Sequence, residues 1–374
     1  MRIGIDARLY GPLDKGIGRY TQKIIQQLEE LDRQNEYFIF LRPAGFELAE
    51  ELKPNLHKIL ADYPPYSLKE QISLPLKLKK YRLDLVHFPH FNVPIFYSGK
   101  FVITIHDLIH RQFNLRATTR FWPFYFLKYL FSQLITFLAI KRATRILTVS
   151  EFVKNQIIGY YKINPNKIIV TYEAANMVQK IQNSEFKIQN SEFLLYIGNA
   201  YPHKNLERLL SAFKLVLSSI RYPASGIQLV LVGKIDYFYK RLQKLAKELK
   251  IEDKVIFTGS VSDEELVNLY QNALAYISPS LMEGFGLPGL EAMAQGCPVI
   301  SSNAGPLPEI YGQAALYFNP NDINEMAEKI KEIIAKPDLR EKLKKLGLEQ
   351  VKKFSWTKCA EKTLEVYQLI LKNN

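Results

Sequence analysis

Residues 280–291 read Ser280-Leu-Met-Glu-Gly-Phe-Gly-Leu-Pro-Gly-Leu-Glu291 and lie between two strand-like segments, Leu274–Ile277 and Pro298–Ser301. Two glycines allow the backbone to turn sharply after the first of these segments. Pro288 follows at a point where a helix tolerates a proline, its first turn. The stretch therefore predicts a strand, a tight turn, a helix and a second strand, which is the repeating unit of an α/β fold.

The same stretch carries candidate ligand-binding groups at both ends. Glu283 precedes the glycine turn and Glu291 falls inside the predicted helix. Carboxylates accept hydrogen bonds from hydroxyl groups, and eight residues of helix rise about 12 Å, roughly the reach from a sugar past a diphosphate to a ribose. The helix N-terminus can bind an anion through its N–H groups, which would come from Gly284, Phe285, Gly286 and Leu287. The pattern predicts a nucleotide-sugar site.

Strand and helix patterns alternate along the rest of the chain, in two successive series. Such alternation predicts parallel sheets covered by helices, which bind ligands at the carboxyl ends of their strands. The first series has strands at Arg2–Ala7, Tyr37–Leu41, Leu83–Phe88, Phe101–His106 and Arg145–Val149, with helices at Gly18–Leu31 and Glu151–Tyr160. The second has strands at Phe193–Ile197, Ile227–Val232, Val255–Phe257, Leu274–Ile277, Pro298–Ser301 and Ala315–Phe318, with helices at Leu206–Leu217, Phe238–Leu249 and Asp263–Asn272.

The bulk composition fits an intracellular globular protein of two domains. A chain of 374 residues exceeds the usual size of one domain. Its two cysteines, Cys297 and Cys359, are too far apart in sequence to suggest a disulfide framework or a metal site. A strand-like run begins at Arg2, so we expect no signal peptide before it and a cytoplasmic location.

The net charge of +13 is concentrated in the first half of the chain. Residues 1–180 contain 26 Lys and Arg against 15 Asp and Glu, whereas the remainder has 24 against 22. A positive surface attracts anionic lipid or phosphorylated acceptors, so a peripheral contact with an anionic membrane is expected. Nucleic acid is not expected as a partner, because no recognition motif accompanies the charge.

The apolar segment Phe121–Ile140 is about as long as a membrane-spanning helix. It contains Lys128 and several polar residues, and a spanning helix here would separate strands that should share one sheet. A helix that packs on the sheet or lies at a membrane surface fits better.

An exact duplication lies between the two series of strands. The heptapeptide Lys-Ile-Gln-Asn-Ser-Glu-Phe occurs at 180–186 and again at 187–193. Lengthening a loop costs little free energy, so we interpret residues 179–192 as a linker without a catalytic role. The remaining divisions are an N-terminal acceptor-side domain at 1–178, a C-terminal nucleotide-sugar domain at 193–355 and a C-terminal amphipathic helix at 356–374.

Two further loops offer groups for a diphosphate. Gly16-Ile-Gly-Arg-Tyr20 opens a helix after the first strand, and the backbone at Gly16 and Gly18, with Arg19, can approach a phosphate. A plain turn is the alternative for this loop. Lys204 follows the strand Phe193–Ile197 and can neutralise a diphosphate leaving group as its charge develops.

His106 stands at the carboxyl end of a predicted strand, where its side chain would reach a ligand. His106 and His110 also have the i, i+4 spacing of a zinc helix, but they follow a strand and lack an obvious third ligand. His87 and His90, at the end of another strand, are candidates for the acceptor side. No metal and no cofactor are expected.

Gly259-Ser-Val-Ser-Asp263 follows a short strand and caps a helix. Capping alone accounts for this segment. Glu309, in a later strand-to-helix turn, is interpreted as structural.

Taken together, these motifs resemble the retaining glycosyltransferases of family 4, and the resemblance covers nearly the whole chain. It implies the GT-B fold, an α/β fold in which two Rossmann-like doubly wound domains face a cleft. It gives Glu283 a contact with the donor sugar, Glu291 a contact with the ribose, His106 a contact with the sugar from the facing domain, and Gly259 and Ser260 a place beside the base. It also implies that the C-terminal helix packs back on the N-terminal domain.

The chain departs from the family pattern beside Lys204. An Arg is common next to this Lys or a few residues before it, whereas this chain has Asn199 and His203. His203 would replace the second cation only if protonated, and Arg19 and Arg208 are the other candidates.

The blocks Gly-Ile-Gly-Arg and His-Asp-Leu resemble bacterial mannosyltransferases of O-antigen and capsule assembly. The resemblance implies transfer of a hexose, with GDP-mannose as the favoured donor, to a glycan or lipid-linked acceptor. Three alternatives stay open: a UDP-sugar donor, a nicotinamide dehydrogenase, and a non-catalytic membrane-surface scaffold with a degenerate donor site.

Overall fold

The computed structural model describes residues 1–49, 52–113, 122–175, 192–219 and 226–372. Residues 180–191 of the duplicated heptapeptide, and nearly all of the predicted linker, lie outside these residues. The described residues form two compact units. Unit 1 falls within Met1–Leu108, Thr118–Glu173 and Ser355–Asn374, and unit 2 falls within Ile109–Ala117 and Ala174–Phe354.

Unit 1 is built on a seven-stranded parallel sheet. Its strands lie in the order β3-β2-β1-β4-β5-β6-β7, so the order reverses between β1 and β4, the position where ligands bind in doubly wound folds. The strands are β1 (Arg2–Asp6), β2 (Glu36–Leu41), β3 (Leu56–Leu60), β4 (Leu85–Phe88), β5 (Phe101–Ile105), β6 (Arg145–Thr148) and β7 (Ile168–Val170).

Apolar residues on both faces of this sheet explain why helices cover it on two sides. Along β2, Tyr37 and Ile39 join one buried cluster while Phe38 and Phe40 join another. Successive side chains of a strand point to opposite faces, so a continuous apolar run produces two cores. The covering helices are α1 (Lys15–Leu31), α2 (Pro43–Leu48), α3 (Leu68–Lys80), α5 (Trp122–Arg142) and α6 (Glu151–Tyr161); α4 (Ile109–Phe113) clusters with unit 2.

The sequence predicted five of the seven strands of unit 1 and missed β3 and β7. β3 reads Leu56-His-Lys-Ile-Leu60 and lies at the sheet edge, so its polar residues obscure the apolar run. β7 has only three residues and also lies at an edge. Short or polar edge strands bury little apolar surface and give a weak sequence signal.

Unit 2 repeats the scheme with six parallel strands in the order β10-β9-β8-β11-β12-β13. All six strands predicted for this half of the chain are confirmed, and the strand order reverses between β8 and β11. The strands are β8 (Phe193–Ile197), β9 (Gln228–Val232), β10 (Val255–Gly259), β11 (Ala275–Ser278), β12 (Val299–Ser302) and β13 (Ala315–Phe318).

The helices of unit 2 pack on this sheet. One buried cluster joins residues from four of them to the strands. The predicted helices at 206–217, 238–249 and 263–272 are confirmed within two residues at either end. The helices are α7 (Leu206–Ser219), α8 (Tyr237–Glu248), α9 (Asp263–Asn272), α10 (Leu287–Ala294), α11 (Leu307–Tyr311), α12 (Ile323–Ala335) and α13 (Pro337–Val351).

The last helix, α14 (Trp356–Lys372), belongs to unit 1 although it follows unit 2 in sequence. Its buried face includes Tyr367, which shares a cluster with residues of α1 and β2. Tyr367 Oη lies 2.6 Å from Nδ1 of the buried His87 in β4, and His87 Nε2 lies 2.8 Å from Thr104 Oγ1 in β5. Burial, and then the charge of His106, lower the pKa of His87 to about 3, so this ring is neutral at pH 7.

Helix α5 is partly buried against the first sheet. Ile135, Thr136, Ala139 and Ile140 are buried, whereas Leu130, Phe131, Leu134 and Phe137 are exposed. No helix in the described part of the chain combines the length and the apolar character that crossing a membrane requires.

We expect Tyr367→Phe to lower the free energy of unfolding by about 1–3 kcal/mol, because it leaves one nitrogen of a fully buried His87 without its partner. Urea unfolding followed by tryptophan fluorescence, to which Trp356 contributes, measures the change. Tyr237→Phe, which alters an exposed tyrosine, is the matched control. Equal midpoints for Tyr367→Phe and the wild-type protein would contradict the assignment.

Candidate functional site

The strand reversal in unit 2 brings two predicted site residues together. β8 and β11 are neighbours, and the loops that follow them carry Lys204 and Glu283. Lys204 Nζ donates to Glu283 Oε1 at 2.6 Å, and the two side chains are only 15% and 14% exposed. Ser280 Oγ donates to the same carboxylate oxygen at 2.6 Å.

The charge state of Glu283 follows from this environment. Burial alone would raise the pKa of its carboxyl group, but the positive charge of Lys204 and the hydrogen bonds from Lys204 and Ser280 outweigh it. The pKa of Glu283 therefore lies below its ordinary value, and the residue is a carboxylate at neutral pH.

Backbone and side-chain hydrogen bonds lock the two loops to each other. The N–H of Leu281 donates to the carbonyl of His203 at 2.8 Å. Asn205 Nδ2 donates to the carbonyls of Pro279 at 3.0 Å and Pro320 at 2.8 Å. Because Asn205 has a positive φ of 62°, it also turns the chain into α7. The ion pair is thus held in a prearranged position.

The structure does not give the site a second cation from His203. Burial, and then the charge of Lys204, lower the pKa of His203 to about 4, so its ring is neutral at pH 7. Arg208 Nη1 donates to Asn205 Oδ1 at 2.9 Å and lines a neighbouring pocket with Arg241. Arg19 belongs to unit 1.

The glycine turn before α10 is enforced by Tyr311 of α11. Gly286 has φ +100°, and its carbonyl accepts a hydrogen bond of 2.6 Å from Tyr311 Oη. A Cβ on Gly289 would lie 2.2 Å from the same hydroxyl oxygen, so only glycine fits there. Phe285 is buried, with its ring edge-on to Phe354 at 5.7 Å. The side chain of Phe285 is therefore not accessible to a ligand, which leaves its backbone as the candidate contact.

Glu291 lies on α10, eight residues after Glu283. Tyr270 Oη donates to the carbonyl of Pro288 at 3.0 Å and lies 3.4 Å from Glu291 Oε2. Tyr270 therefore connects α9 to the helix that carries Glu291. Glu291 itself is partly exposed.

Gly259 and Ser260 are farther from the ion pair. They lie at the carboxyl end of β10, which is the sheet edge and is separated from β8 by β9. Two strand spacings amount to about 10 Å. Gly259 has φ +76°, and Ser260 is exposed. Glu309 lies in the first turn of α11.

His106 lies in unit 1, directly after β5, with both ring nitrogens next to acceptors. Nδ1 is 3.0 Å from Glu173 Oε1, and Nε2 is 3.1 Å from the carbonyl of Pro89. The ring meets Tyr20 of α1 edge-on, with the ring centres 4.6 Å apart. Three elements therefore fix its orientation.

Glu173, the partner of His106, was not among the residues predicted from the sequence. It follows β7, the three-residue strand that also went unrecognised. An acid directly after a parallel strand is the signal that could have found it, since carboxyl ends of strands share one edge of the sheet.

Gly16 and Gly18 lie in the first turn of α1, near Tyr20. A Cβ on Gly18 would lie 2.2 Å from the carbonyl oxygen of Gly11, so close packing of the preceding turn requires glycine there. A Cβ on Gly16 would meet nothing within 4 Å. Gly16 is exposed, and its backbone is open to a ligand.

A second cluster of polar groups lies at the strand reversal of unit 1. Arg8 donates to both oxygens of Asp6 at 2.7 Å and to Glu70 Oε1 at 2.6 Å. Asn92 Nδ2 donates to Glu70, and His90 lines the adjoining pocket with Asn92. The network joins β1 to α3. The described residues include no group of three or more His, Cys, Asp or Glu placed to hold a metal ion.

Comparison with known proteins assigns the class. Residues 15–177 match the family described as Glycosyltransferase Family 4, and residues 177–350 match Glycosyl transferases group 1. The chain therefore belongs to these glycosyltransferases and is an enzyme of that class, which confirms the resemblance and makes the dehydrogenase alternative wrong.

Individual relatives agree with this assignment. O-antigen chain mannosyltransferase B of Escherichia coli is 29% identical over 95% of this chain and 96% of its own. O-antigen chain mannosyltransferase RfbU of Salmonella typhimurium is 32% identical over 71% of this chain and 69% of its own. Sucrose-phosphate synthase of Thermosynechococcus elongatus has a TM-score of 0.79 at 20% identity, with both chains fully covered. The two Rossmann-like domains are thus those of a GT-B glycosyltransferase.

We expect Lys204→Met to destabilise unit 2 by about 1–3 kcal/mol at pH 7, because it leaves the Glu283 carboxylate buried without its cation. In the wild type, a lowered pKa of Glu283 contributes stability above the ordinary pKa, and this stability is lost as the pH falls. In the variant, burial without Lys204 raises that pKa and penalises the carboxylate at neutral pH. The difference between the two proteins should therefore shrink on acidification.

Thermal unfolding between pH 7 and pH 4 measures this difference. Lys204→Met/Glu283→Gln is the control, and it should recover part of the lost stability at pH 7. A penalty for Lys204→Met that stays constant with pH would contradict the proposed coupling.

Proposed function

We propose that the protein transfers mannose from GDP-mannose to a hydroxyl group of a glycan or lipid-linked acceptor, with retention at the anomeric carbon. The observation that carries the proposal is the ion pair of Lys204 and Glu283 at the strand reversal of unit 2. The choice of mannose and of a glycan acceptor is supported by relatives that are O-antigen chain mannosyltransferases.

The donor would lie along the loop and helix that connect Glu283 to Glu291. Glu283 orients the sugar through its carboxylate, and Glu291 holds the ribose hydroxyls. The diphosphate lies between them, against Gly284, Phe285, Gly286 and Leu287 at the start of α10. Gly259 and Ser260, about two strand spacings away, lie beside the base. For unit 1, the roles that the family resemblance implies stay predictions: Gly16, Gly18 and Arg19 as contacts to the diphosphate, and His106 as a contact to the sugar.

Lys204 acts on the leaving group. An ammonium group has three donors, so Lys204 can keep Glu283 and still donate to a phosphate oxygen. As the bond between the anomeric carbon and the phosphate oxygen breaks, negative charge grows on the diphosphate and is stabilised by this cation and by the dipole of α10. These groups take the place of a metal ion in compensating the charge.

Retention follows when the acceptor attacks from the face that the diphosphate leaves. The acceptor oxygen forms the new bond to the anomeric carbon, and its proton passes to the departing phosphate oxygen. Glu283 Oε1 already accepts hydrogen bonds from Lys204 and Ser280, and such bonds reduce the nucleophilicity of a carboxylate. A covalent intermediate on Glu283 is therefore disfavoured.

The acceptor side is assigned to unit 1, whose half of the chain carries the excess positive charge. A lipid-linked acceptor would present its diphosphate at a cytoplasmic membrane surface. We therefore include peripheral contact with an anionic membrane in the proposal.

Calorimetric titration with GDP-mannose, UDP-glucose, UDP-N-acetylglucosamine and NADH, without metal, tests the donor. Selective binding of GDP-mannose supports the proposal, and selective binding of a UDP-sugar replaces the donor while keeping the site. Absence of binding to all four would favour the scaffold with a degenerate donor site. The anomeric configuration of a product formed on mannobiose, read by NMR, tests retention.

We expect Glu283→Gln to reduce transfer by about 100-fold or more, since a neutral amide cannot replace the carboxylate that orients the donor sugar. GDP release from GDP-mannose with mannobiose as acceptor measures the loss. Glu264→Gln, at an exposed position of α9, is the matched control. An unchanged rate of transfer in a folded Glu283→Gln variant would contradict the site assignment.

We expect Glu173→Ala to lower kcat by about tenfold, because His106 loses the partner that orients its ring. Glu173→Gln keeps a hydrogen-bond acceptor for His106 Nδ1, so its loss should be smaller. Binding of GDP without the sugar should not change in either variant, and neither should the thermal midpoint of Glu173→Gln. Glu151→Gln, exposed in the same unit, is the control. A purely structural role for Glu173 would instead lower stability and GDP binding together.

A further inference from the structure

Helix α3 exposes three large aliphatic side chains in a row. Leu68, Ile72 and Leu76 are 77%, 55% and 60% exposed. Residues four apart lie on the same face of a helix, so the three form one stripe along α3. Large aliphatic residues cluster in this way on a soluble protein mainly where another apolar surface covers them.

Lysines surround this stripe, and the helix exposes no acid. α3 contains four lysines, of which Lys69, Lys79 and Lys80 are exposed. Its single acid, Glu70, is completely buried and accepts hydrogen bonds from Arg8 and Asn92. The exposed face of α3 therefore combines apolar side chains with positive charge alone.

A groove runs beside the C-terminal half of the stripe. It measures about 360 Å³ and is lined by Tyr63, Ser73, Leu76, Lys77, Lys80 and Tyr81. Tyrosine and lysine, with an apolar body and a polar tip, are the side chains that suit the boundary between hydrocarbon and water. The groove therefore suits a phosphate headgroup while Leu76 meets acyl chains.

The opposite face of α3 is anchored, so the stripe cannot turn inward. Leu74 and Leu78 are buried in the core of unit 1. Ser67 caps the helix by accepting from the N–H of Glu70, and Gln71 Oε1 accepts from the N–H of Ile95 at 2.8 Å. The next residue, Phe96, is 69% exposed and extends the apolar surface beyond α3.

We propose that Leu68, Ile72, Leu76, Phe96 and the lysines of α3 form a docking face for an anionic lipid bilayer. A bilayer supplies apolar chains for the stripe and negative headgroups for the lysines. A second copy of the chain docked through the same face would oppose lysine to lysine, and an acidic peptide would leave the aliphatic side chains exposed. The inference deepens the membrane contact in the proposed function and does not depend on the identity of the donor.

Vesicle sedimentation tests the docking face directly. The wild-type protein should bind phosphatidylcholine vesicles that contain about 30% phosphatidylglycerol, and salt should weaken this binding. Pure phosphatidylcholine should bind it weakly. Leu68→Ser/Ile72→Ser/Leu76→Ser and, separately, Lys79→Ala/Lys80→Ala should each lower the partition coefficient by about tenfold or more.

Two control variants make the result specific to α3. Leu348→Ser/Lys345→Ala removes an exposed aliphatic and an exposed lysine from α13 of unit 2 and should bind as the wild type does. Leu130→Ser/Phe131→Ser/Leu134→Ser removes three of the exposed apolar side chains of α5. Loss of binding in the α5 variant, with α3 variants that bind normally, would overturn the proposal.

A cysteine label reports insertion without removing the whole stripe. Cys297 and Cys359 are buried at 2% and 1% exposure, so a fluorophore can be directed to Ile72→Cys. Its emission should shift to the blue on anionic vesicles, whereas a label at Leu215→Cys, exposed on α7, should not shift. Equal spectra with and without vesicles at position 72 would contradict insertion.

Titration of each variant with GDP-mannose separates docking from catalysis. A stripe variant that loses vesicle binding but keeps donor binding and its unfolding midpoint supports the docking face. If the wild-type protein binds anionic vesicles but no sugar nucleotide, the result would contradict the proposed transfer and still support the docking face.

Discussion

The ion pair between Lys204 and Glu283 joins the two loops that matter most in unit 2. Parallel strands place all their carboxyl ends at one edge of the sheet, and the reversal of strand order sets β8 beside β11 there. Two charges at such low exposure would be costly if separated, since a buried charge without a partner destabilises a fold. The pair therefore fixes the loops with respect to each other, and the hydrogen bonds of Ser280 and Asn205 secure the arrangement. The cation and the carboxylate are thereby held at a fixed distance from each other.

The polar residues at the strand reversal differ between the two units. In unit 2 the buried charges lie beside a loop and a helix start that are open to a ligand. In unit 1 the corresponding reversal holds Asp6, Arg8 and Glu70 in a closed network. That network draws the acid of α3 inward and leaves its lysines outward. Part of the excess positive charge of the first half of the chain thus lies on one exposed helix face.

The sequence predicted the fold well where side-chain periodicity is strong. The central strands carry apolar residues on both faces and were all recognised. β3 and β7 were missed because edge strands are short or carry polar residues such as His57 and Lys58. The same difference applies to the candidate site residues. Glu283 and Lys204 follow central strands and were predicted, whereas Glu173 follows β7 and was missed with it. The pairing of His106 with Glu173 joins residues 67 positions apart, and such contacts leave no local pattern. The protonation state of His203 could not be predicted from the sequence either, since it depends on the burial of the ring.

Helix α14 contributes to the core of unit 1 although it is the last helix of the chain to be synthesised. Unit 1 begins at the first residue of the described chain, yet its core includes Ala360, Tyr367 and Ile370 from the last helix. Domains generally fold as they emerge from the ribosome, starting at the N-terminus. Here all of unit 2 is synthesised before α14, the last helix of unit 1. Until α14 is made, His87 lacks its hydrogen-bond partner, the hydroxyl of Tyr367. The core of the half that is translated first is therefore complete only once the last helix has been made.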